Sequence, residues 1–267
     1  VRAASWAIRR RVNGDLCRRT RSGRAVPARL VAVLALFIGA VSPVLAIVHG
    51  KAVNQPRFLD DYPWAVAVQN PVTGGVCSGV LISPTHVLTA AHCTGARKRV
   101  LVGNTSRRRA RSMAVADALR HPGFDKDTKQ FDVGLLRLEE PVDLPPIRLI
   151  SQGEYLLSVR DKAPATIMGW GKRPGSDYSD RLVRASIYLR DLGMQGTQLI
   201  YRDRGGPCGG DSGGPLVVEG VDGKAVLLGI ASVTDGNLCT SGGGIAAYSN
   251  IAAVRDFIEE NVPDLHQ

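Results

Sequence analysis

The chain has 267 residues, 44 % hydrophobic and 22 % charged, enough to bury a sizeable core in one or two domains and too apolar for a disordered chain. The formal charge of +10 is no argument for nucleic-acid binding. Residues 1–46 hold nine arginines and one acid, Asp15, which accounts for +8 and leaves +2 on the remaining 221 residues.

In chain order, the first segment has the pattern of a targeting sequence. An arginine-rich stretch precedes the apolar run from Leu30 to Val41, which is followed by Ser42, Pro43 and Val44-Leu45-Ala46. Val44 and small Ala46 fit a signal-peptidase site. The stretch from Leu30 to Val48 is interrupted by Gly39 and Pro43 and is marginal as a membrane span. The expectation is a signal peptide over 1–46, a secreted protein and no stable membrane association. From residue 47 onward, short apolar runs alternate with Gly, Pro, Asn and Asp clusters. The runs are Trp64–Val68, Gly79–Ile82, Val100–Val102, Val133–Leu138, Ala165–Trp170, Leu216–Val218 and Ala225–Ile230. They predict an all-β sandwich or barrel protein. The basic run Arg107-Arg108-Arg109-Ala110-Arg111 is expected to be a solvated loop. Ile251, Val254, Ile258 and Val262 share one helical face. They predict a helix over 251–262, capped by Ser249 or Asn250 and stopped by Pro263. No repeat or low-complexity tract is present.

Beyond Cys17 there are four cysteines, Cys77, Cys93, Cys208 and Cys239, which allow three pairings. No Cys-x₂-Cys or paired-histidine spacing points to zinc, and no metal or cofactor is expected. Three motifs carry chemistry: Thr-Ala-Ala-His-Cys at 89–93, Phe-Asp-Val-Gly-Leu-Leu at 131–136 and Pro-Cys-Gly-Gly-Asp-Ser-Gly-Gly-Pro at 207–215. A serine hydroxyl is a poor nucleophile and needs an adjacent base. His92 supplies a base, Asp132 a group to orient it, and the glycines around Ser212 a sharp turn. Any one of these has a plain structural reading, such as a surface turn, a core histidine or a strand-end cap. Together, in the order His92, Asp132, Ser212, they make a nucleophilic triad the economical reading.

In these motifs the chain resembles the trypsin/chymotrypsin-like serine proteases. Supporting segments are Ile47-Val48-His49-Gly50, similar to Ile-Val-Gly-Gly with His49 as the departure, Cys77-Ser-Gly-Val-Leu-Ile82 and Gly169-Trp170-Gly171. The resemblance covers about 47–262. It implies two six-stranded antiparallel β-barrels, roughly 47–145 and 146–250, with the site in the cleft between them and Asp143–Ile147 starting the connection. It implies disulfides Cys77–Cys93 and Cys208–Cys239 and an oxyanion hole from the N–H groups of Gly210 and Ser212. Ser232 would hydrogen-bond Asp132. The freed ammonium of Ile47 would pair with Asp211. Because Ala46 ends the signal pattern, export itself would expose that ammonium; an earlier cut near Ala40, leaving a short activation peptide, is the alternative. Gly206 stands where trypsin has its pocket-base aspartate, and Ser232-Val233-Thr234 stands where the family has Ser-Trp-Gly. The expected P1 residues are therefore small to medium and apolar. Asn104–Arg111 holds no acid, so no calcium loop is expected. Protein or peptide substrates, protein inhibitors as partners and a monomeric state complete the expectation.

Overall fold

A computed structural model describes residues 47–265 apart from 161, 173–176, 204–205, 236–238 and 240–243. The segment 1–46, expected to be a signal peptide, lies outside the described residues. The described chain is mostly β. Its elements are β1 (Lys51–Ala52), α1 (Gln55–Asp61), β2 (Ala65–Gln69), β3 (Val76–Leu81), β4 (His86–Thr89), β5 (Arg99–Val102), β6 (Arg111–Arg120) and β7 (Gly134–Leu138). There follow β8 (Arg148–Leu149), α2 (Gln152–Ser158), β9 (Pro164–Gly169), β10 (Val183–Tyr188), β11 (Arg190–Gln195), β12 (Gln198–Asp203), β13 (Pro215–Glu219), β14 (Ala225–Thr234), β15 (Gly244–Asn250) and α3 (Arg255–Asn261).

Strands β2-β3-β4-β7-β6-β5 close into a barrel. Val66, Val80, Leu88, Val100 and Leu136 are fully buried in this half. β4 is buried along its whole length, but His86 and Thr89 keep it from reading as an apolar run, whereas β2 and β5, buried over most of theirs, do read as such runs. Outward-lying β6 buries only Met113 outright, and its alanines gave no apolar signal. Each of the seven apolar runs falls largely within a strand.

The second expected ring of six strands is not closed by hydrogen bonds among the described residues. The later strands form a nine-stranded sheet in the order β1-β10-β9-β13-β14-β15-β12-β11, with β8 parallel to β14. β1 adds itself to β10 through Lys51↔Arg184, and the β11–β12 hairpin extends the other side by pairing with β15. Its core holds Ile167, Leu216, Leu227, Ile230 and Tyr248.

The terminal helix is shorter than expected. Asn250 caps a 3₁₀ turn at Ile251–Ala253, its side chain accepting from Ala252 N at 3.1 Å. The tight first turn breaks at Val254, and only then does α3 begin. The apolar face holds: Ile251, Val254, Ile258 and Val262 are all buried. Two short helices carried no periodic signal but did carry caps. Asn54 accepts from Arg57 N at 2.9 Å with Pro56 in the first turn; Ser151 and Glu154 form a reciprocal capping box.

Barrel and sheet are stitched by polar contacts. Ser78 N donates to Ser212 O at 2.8 Å, and Trp170 Nε1 donates to Thr105 O at 2.8 Å. The arginine run is not simply solvated. Arg107 Nε donates to Ser179 O at 2.7 Å and its Nη2 to Tyr178 O at 3.2 Å, so one guanidinium ties this loop to the sheet, while Arg108 and Arg109 are exposed. Glu154 is a second tie. Its buried carboxylate accepts from Arg148 at 2.6 and 2.8 Å, and from Ser151 and Val221 N.

The Arg148 guanidinium and those N–H donors hold the Glu154 carboxyl far below the usual carboxylate range. The folded chain therefore takes up this proton at lower pH than the unfolded chain, and the stabilisation is full at neutral pH and lost in acid. Glu154→Gln should cost ~1.5–3 kcal/mol at pH 7, with a smaller loss at pH 3. Urea unfolding at both values checks this; an equal loss would contradict the charge-based account.

Candidate active site

Asp132 lies just before β7 and is wholly buried. A buried carboxylate needs donors, and three reach it. His92 Nδ1 bonds Asp132 Oδ2 at 2.7 Å, His92 N donates to Oδ1 at 3.0 Å, and Ser232 Oγ donates to Oδ2 at 2.6 Å. Burial pushes the carboxyl up. The His92 ring and N–H and the Ser232 hydroxyl together outweigh it and hold the group below its ordinary value. Ser249 Oγ donates to the Asp132 carbonyl at 3.0 Å, so β15 fixes the backbone as well.

His92 sits in the 3₁₀ turn Ala91–Cys93 directly after β4. The disulfide Cys77–Cys93 fastens that turn to β3. The side chain of His92 is 30 % exposed, enough for one face of the ring to meet a ligand. Cys77, His92 and Cys93 also form a cluster of potential metal ligands. Both sulfurs are in the disulfide and Nδ1 is on Asp132, so this set offers no thiolate.

Ser212 is carried by the turn before β13. Its carbonyl accepts from Ser78 N, and Gly213 N donates to Ala231 O at 2.7 Å. Gly210 and Gly213 have φ of +97° and +80°, where a side chain is strained. A Cβ on Gly213 would also strike Thr89 Oγ1 and the Ser78 carbonyl. The glycines thus let the serine turn press against β3 and β4. Among the described residues, the N–H groups of Gly210 and Ser212 donate no hydrogen bond.

His92, Ser212, Cys208, Ser232, Val233 and Thr234 line one cavity of about 260 Å³, together with Lys129, Pro207, Gly209 and Ala231. The Ser212 hydroxyl shares this cavity with His92 without a hydrogen bond between them. Gly206 is buried, and its carbonyl accepts from Val48 N at 3.3 Å. Cys208–Cys239 is formed as the resemblance implied. β13 leaves β14 after Pro215↔Ile230, while β14 continues to Thr234 paired with β15. Ser232–Thr234 therefore has one strand edge unpaired among the described residues. The Thr234 hydroxyl is buried without a partner among them.

Asp211 contrasts with Asp132. It is 1 % exposed and accepts from Gly171 N at 2.7 Å and Cys208 N at 2.9 Å. No cation pairs with it among the described residues, and burial pushes its carboxyl up to about 7. Ile47 is also 1 % exposed, next to the Val48–Gly206 contact.

The family model described as Trypsin matches residues 47–258. The chain belongs to the trypsin family of serine proteases. It is 30 % identical to a trypsin of Saccharopolyspora erythraea over 81 % of this chain and 98 % of that one. It is 30 % identical to hypodermin-B of Hypoderma lineatum over 87 % and 96 %. A trypsin of Sarcophaga bullata is 29 % identical over 89 % and 99 %. The trypsin-family chain described here is a serine endopeptidase that hydrolyses peptide bonds.

Sequence reasoning missed Lys129 on the cavity wall and the Thr89–Ser78 clamp on the serine turn. Thr89 and Ser78 lie inside the segments 89–93 and 77–82, but their contact is long-range; Lys129 belongs to no motif, and only its place three residues before Asp132 hints at it. A much larger cavity of about 970 Å³, lined by α1, Pro145–Arg148 and β13 residues, holds none of the triad candidates.

Gly213→Ala should destabilise the protease by at least ~1–3 kcal/mol, from backbone strain and the clash with Thr89. Ser212→Ala should stay within ~0.5 kcal/mol of wild type. Parallel denaturant titrations compare them, and a neutral Gly213→Ala would refute the tight seating of the turn.

Proposed function

We propose that Ser212 is the nucleophile, His92 its base and then acid, and Asp132 the group that orients the imidazole. The observation that carries this reading is the 2.7 Å contact of His92 Nδ1 with a buried, ionised Asp132. A carboxylate only accepts, so Nδ1 holds the proton and Nε2 is left as the acceptor. Ser212 Oγ attacks the scissile carbonyl and passes its proton to Nε2. The resulting oxyanion is received by the two undonated N–H groups of Gly210 and Ser212. The C–N bond breaks as His92 protonates the leaving amine. Water, deprotonated by His92, then hydrolyses the acyl-enzyme on Ser212.

The unpaired edge at Ser232–Thr234 suits an extended substrate backbone added as a strand. No carboxylate lines the cavity among the described residues, and Gly206 offers none. A P1 Lys or Arg would lose its hydration without a partner, so small or medium apolar P1 residues are favoured. The domain is assigned to 47–267. Secretion is supported by the pattern of 1–46 and by two disulfides. No described helix is long and apolar enough to cross a membrane.

Ile47 and Asp211 form the activation pair in this reading: export frees the Ile47 ammonium, which neutralises a buried carboxylate otherwise without a cation. Until then the raised Asp211 carboxyl keeps its proton in the folded chain between pH ~4 and 7, where the unfolded chain has released it. The folded state binds more protons there, so this group lowers stability as pH rises.

Peptide-library cleavage should show Ala, Val and Leu ahead of Lys and Arg at P1, and Ser212→Ala should leave no measurable turnover. A profile dominated by Arg, or a turning-over Ser212→Ala, would refute the assignment. In a chain extended by one residue before Ile47, Asp211→Asn should raise stability at pH 7 by about 2–4 kcal/mol. In the chain beginning at Ile47 the same change should cost ~3–5 kcal/mol. Thermal unfolding of the four proteins checks this, and the same sign in both backgrounds would overturn the pairing.

A further inference from the structure

The cavity at Ser212 has a cationic wall that the catalytic reading does not use. Lys129 is half-buried and lines it beside His92. Its loop is held firmly. Lys129 N donates to Asp125 O at 2.9 Å, and its carbonyl accepts from Gln198 Nε2 at 2.8 Å. Gln130 Oε1 accepts from Thr197 N at 2.8 Å, and Phe131 N donates to Thr197 Oγ1 at 2.9 Å. The loop before Asp132 is thereby bolted to the β11–β12 turn, with Lys129 itself at φ +59°.

The ammonium is nevertheless unpaired by any acid among the described residues. Its contact is the Phe124 ring at 5.8 Å, at the outer limit of a cation–π interaction. The acids of its own loop are engaged elsewhere. Asp125 Oδ1 accepts from Asp127 N and Thr128 N, and Asp127 lies 3.6 Å from Lys126. A positioned, half-buried cation in a cleft that shows no acid among the described residues is complementary to a carboxylate brought in by a ligand.

We propose that Lys129 forms a subsite for an acidic side chain of the substrate, on the amino-terminal side of the cleaved bond. This rests on the reading of the cleft as the peptide-binding site. In an extended peptide successive side chains point to opposite faces. His92 and Lys129 line the cavity from connections of the barrel strands, and Cys208 and Thr234 from the sheet half, so with P1 against the sheet side P2 turns toward His92 and Lys129, and P4 shares that face. The protease therefore selects Asp or Glu at P2 or P4, combined with an apolar P1. An acidic residue in either place also distinguishes its target sequences from a merely apolar stretch.

The test uses the secreted protein and peptides with its preferred P1 residue, carrying Glu, Gln or Lys at P2 or at P4. Values of kcat/KM are normalised to active serine by fluorophosphonate titration. Glu should exceed Gln by about three- to tenfold at low salt, the size of a half-buried ion pair. The ratio should approach one at 1 M NaCl, where the Debye length is about 3 Å. Lys129→Gln should remove the preference, and Lys129→Glu should reverse it toward Lys. Cleavage with no Glu preference at either position, or a preference that survives in Lys129→Gln, overturns this inference while leaving the catalytic reading intact. No cleavage of any peptide and no labelling of the serine would overturn both.

Discussion

The buried carboxylate of Asp132 is the point on which the molecule's separate segments converge. A charge removed from water costs several kcal/mol unless its lone pairs are met. Here the donors come from the turn after β4 and from β14, while β15 holds the same residue's carbonyl. The first barrel alone cannot satisfy Asp132, because Ser232 and Ser249 belong to the sheet. Docking of barrel on sheet and orientation of the imidazole are therefore one event. The Ser78–Ser212 and Trp170–Thr105 bonds extend the same seam, and the glycines of the serine turn let it come close enough to form.

Asp211 puts the same side chain in the opposite situation. Both carboxylates are buried, but Asp132 meets a histidine and a hydroxyl and is held low, whereas Asp211 meets two backbone N–H groups and is pushed up to about 7. One site is complete in the folded chain, and the other wants a cation. In the activation reading proposed above, that asymmetry would couple a new amino terminus to the state of the serine turn, since Asp211 and Ser212 are adjacent.

Much of this was legible in the residues. The triad types stood in family order, the four cysteines paired as the resemblance implied, and strands buried over most of their length, such as β2, β13 and β14, showed as apolar runs, while fully buried β4, with His86 and Thr89, did not. β6 was not legible because its outward positions carry alanine and charge, with Met113 alone fully buried. α1 and α2, at seven residues each, are too short for a helical period; the caps at Asn54 and Ser151 emerge only in the structure. The break at Val254 follows from the Asn250 cap on the preceding turn, a local contact that the apolar face of the helix does not encode. Arg107 and Lys129 gain their roles from long-range partners, Ser179 and Tyr178 for one and the cavity for the other, which a charge run or a loop position cannot reveal. The closure of a second barrel was expected from resemblance alone; among the described residues the strand pairing gives a nine-stranded sheet and leaves that closure unconfirmed.

The central claim is that Asp132, through His92, activates Ser212. Its most direct measurement is the rate and site of fluorophosphonate labelling, read by peptide mass spectrometry, in the chain beginning at Ile47 and in its Asp132→Asn variant. The account predicts one equivalent of label, on Ser212, with a rate at least ~10²-fold lower in Asp132→Asn. Label on another residue, or equal rates in the two proteins, would contradict it.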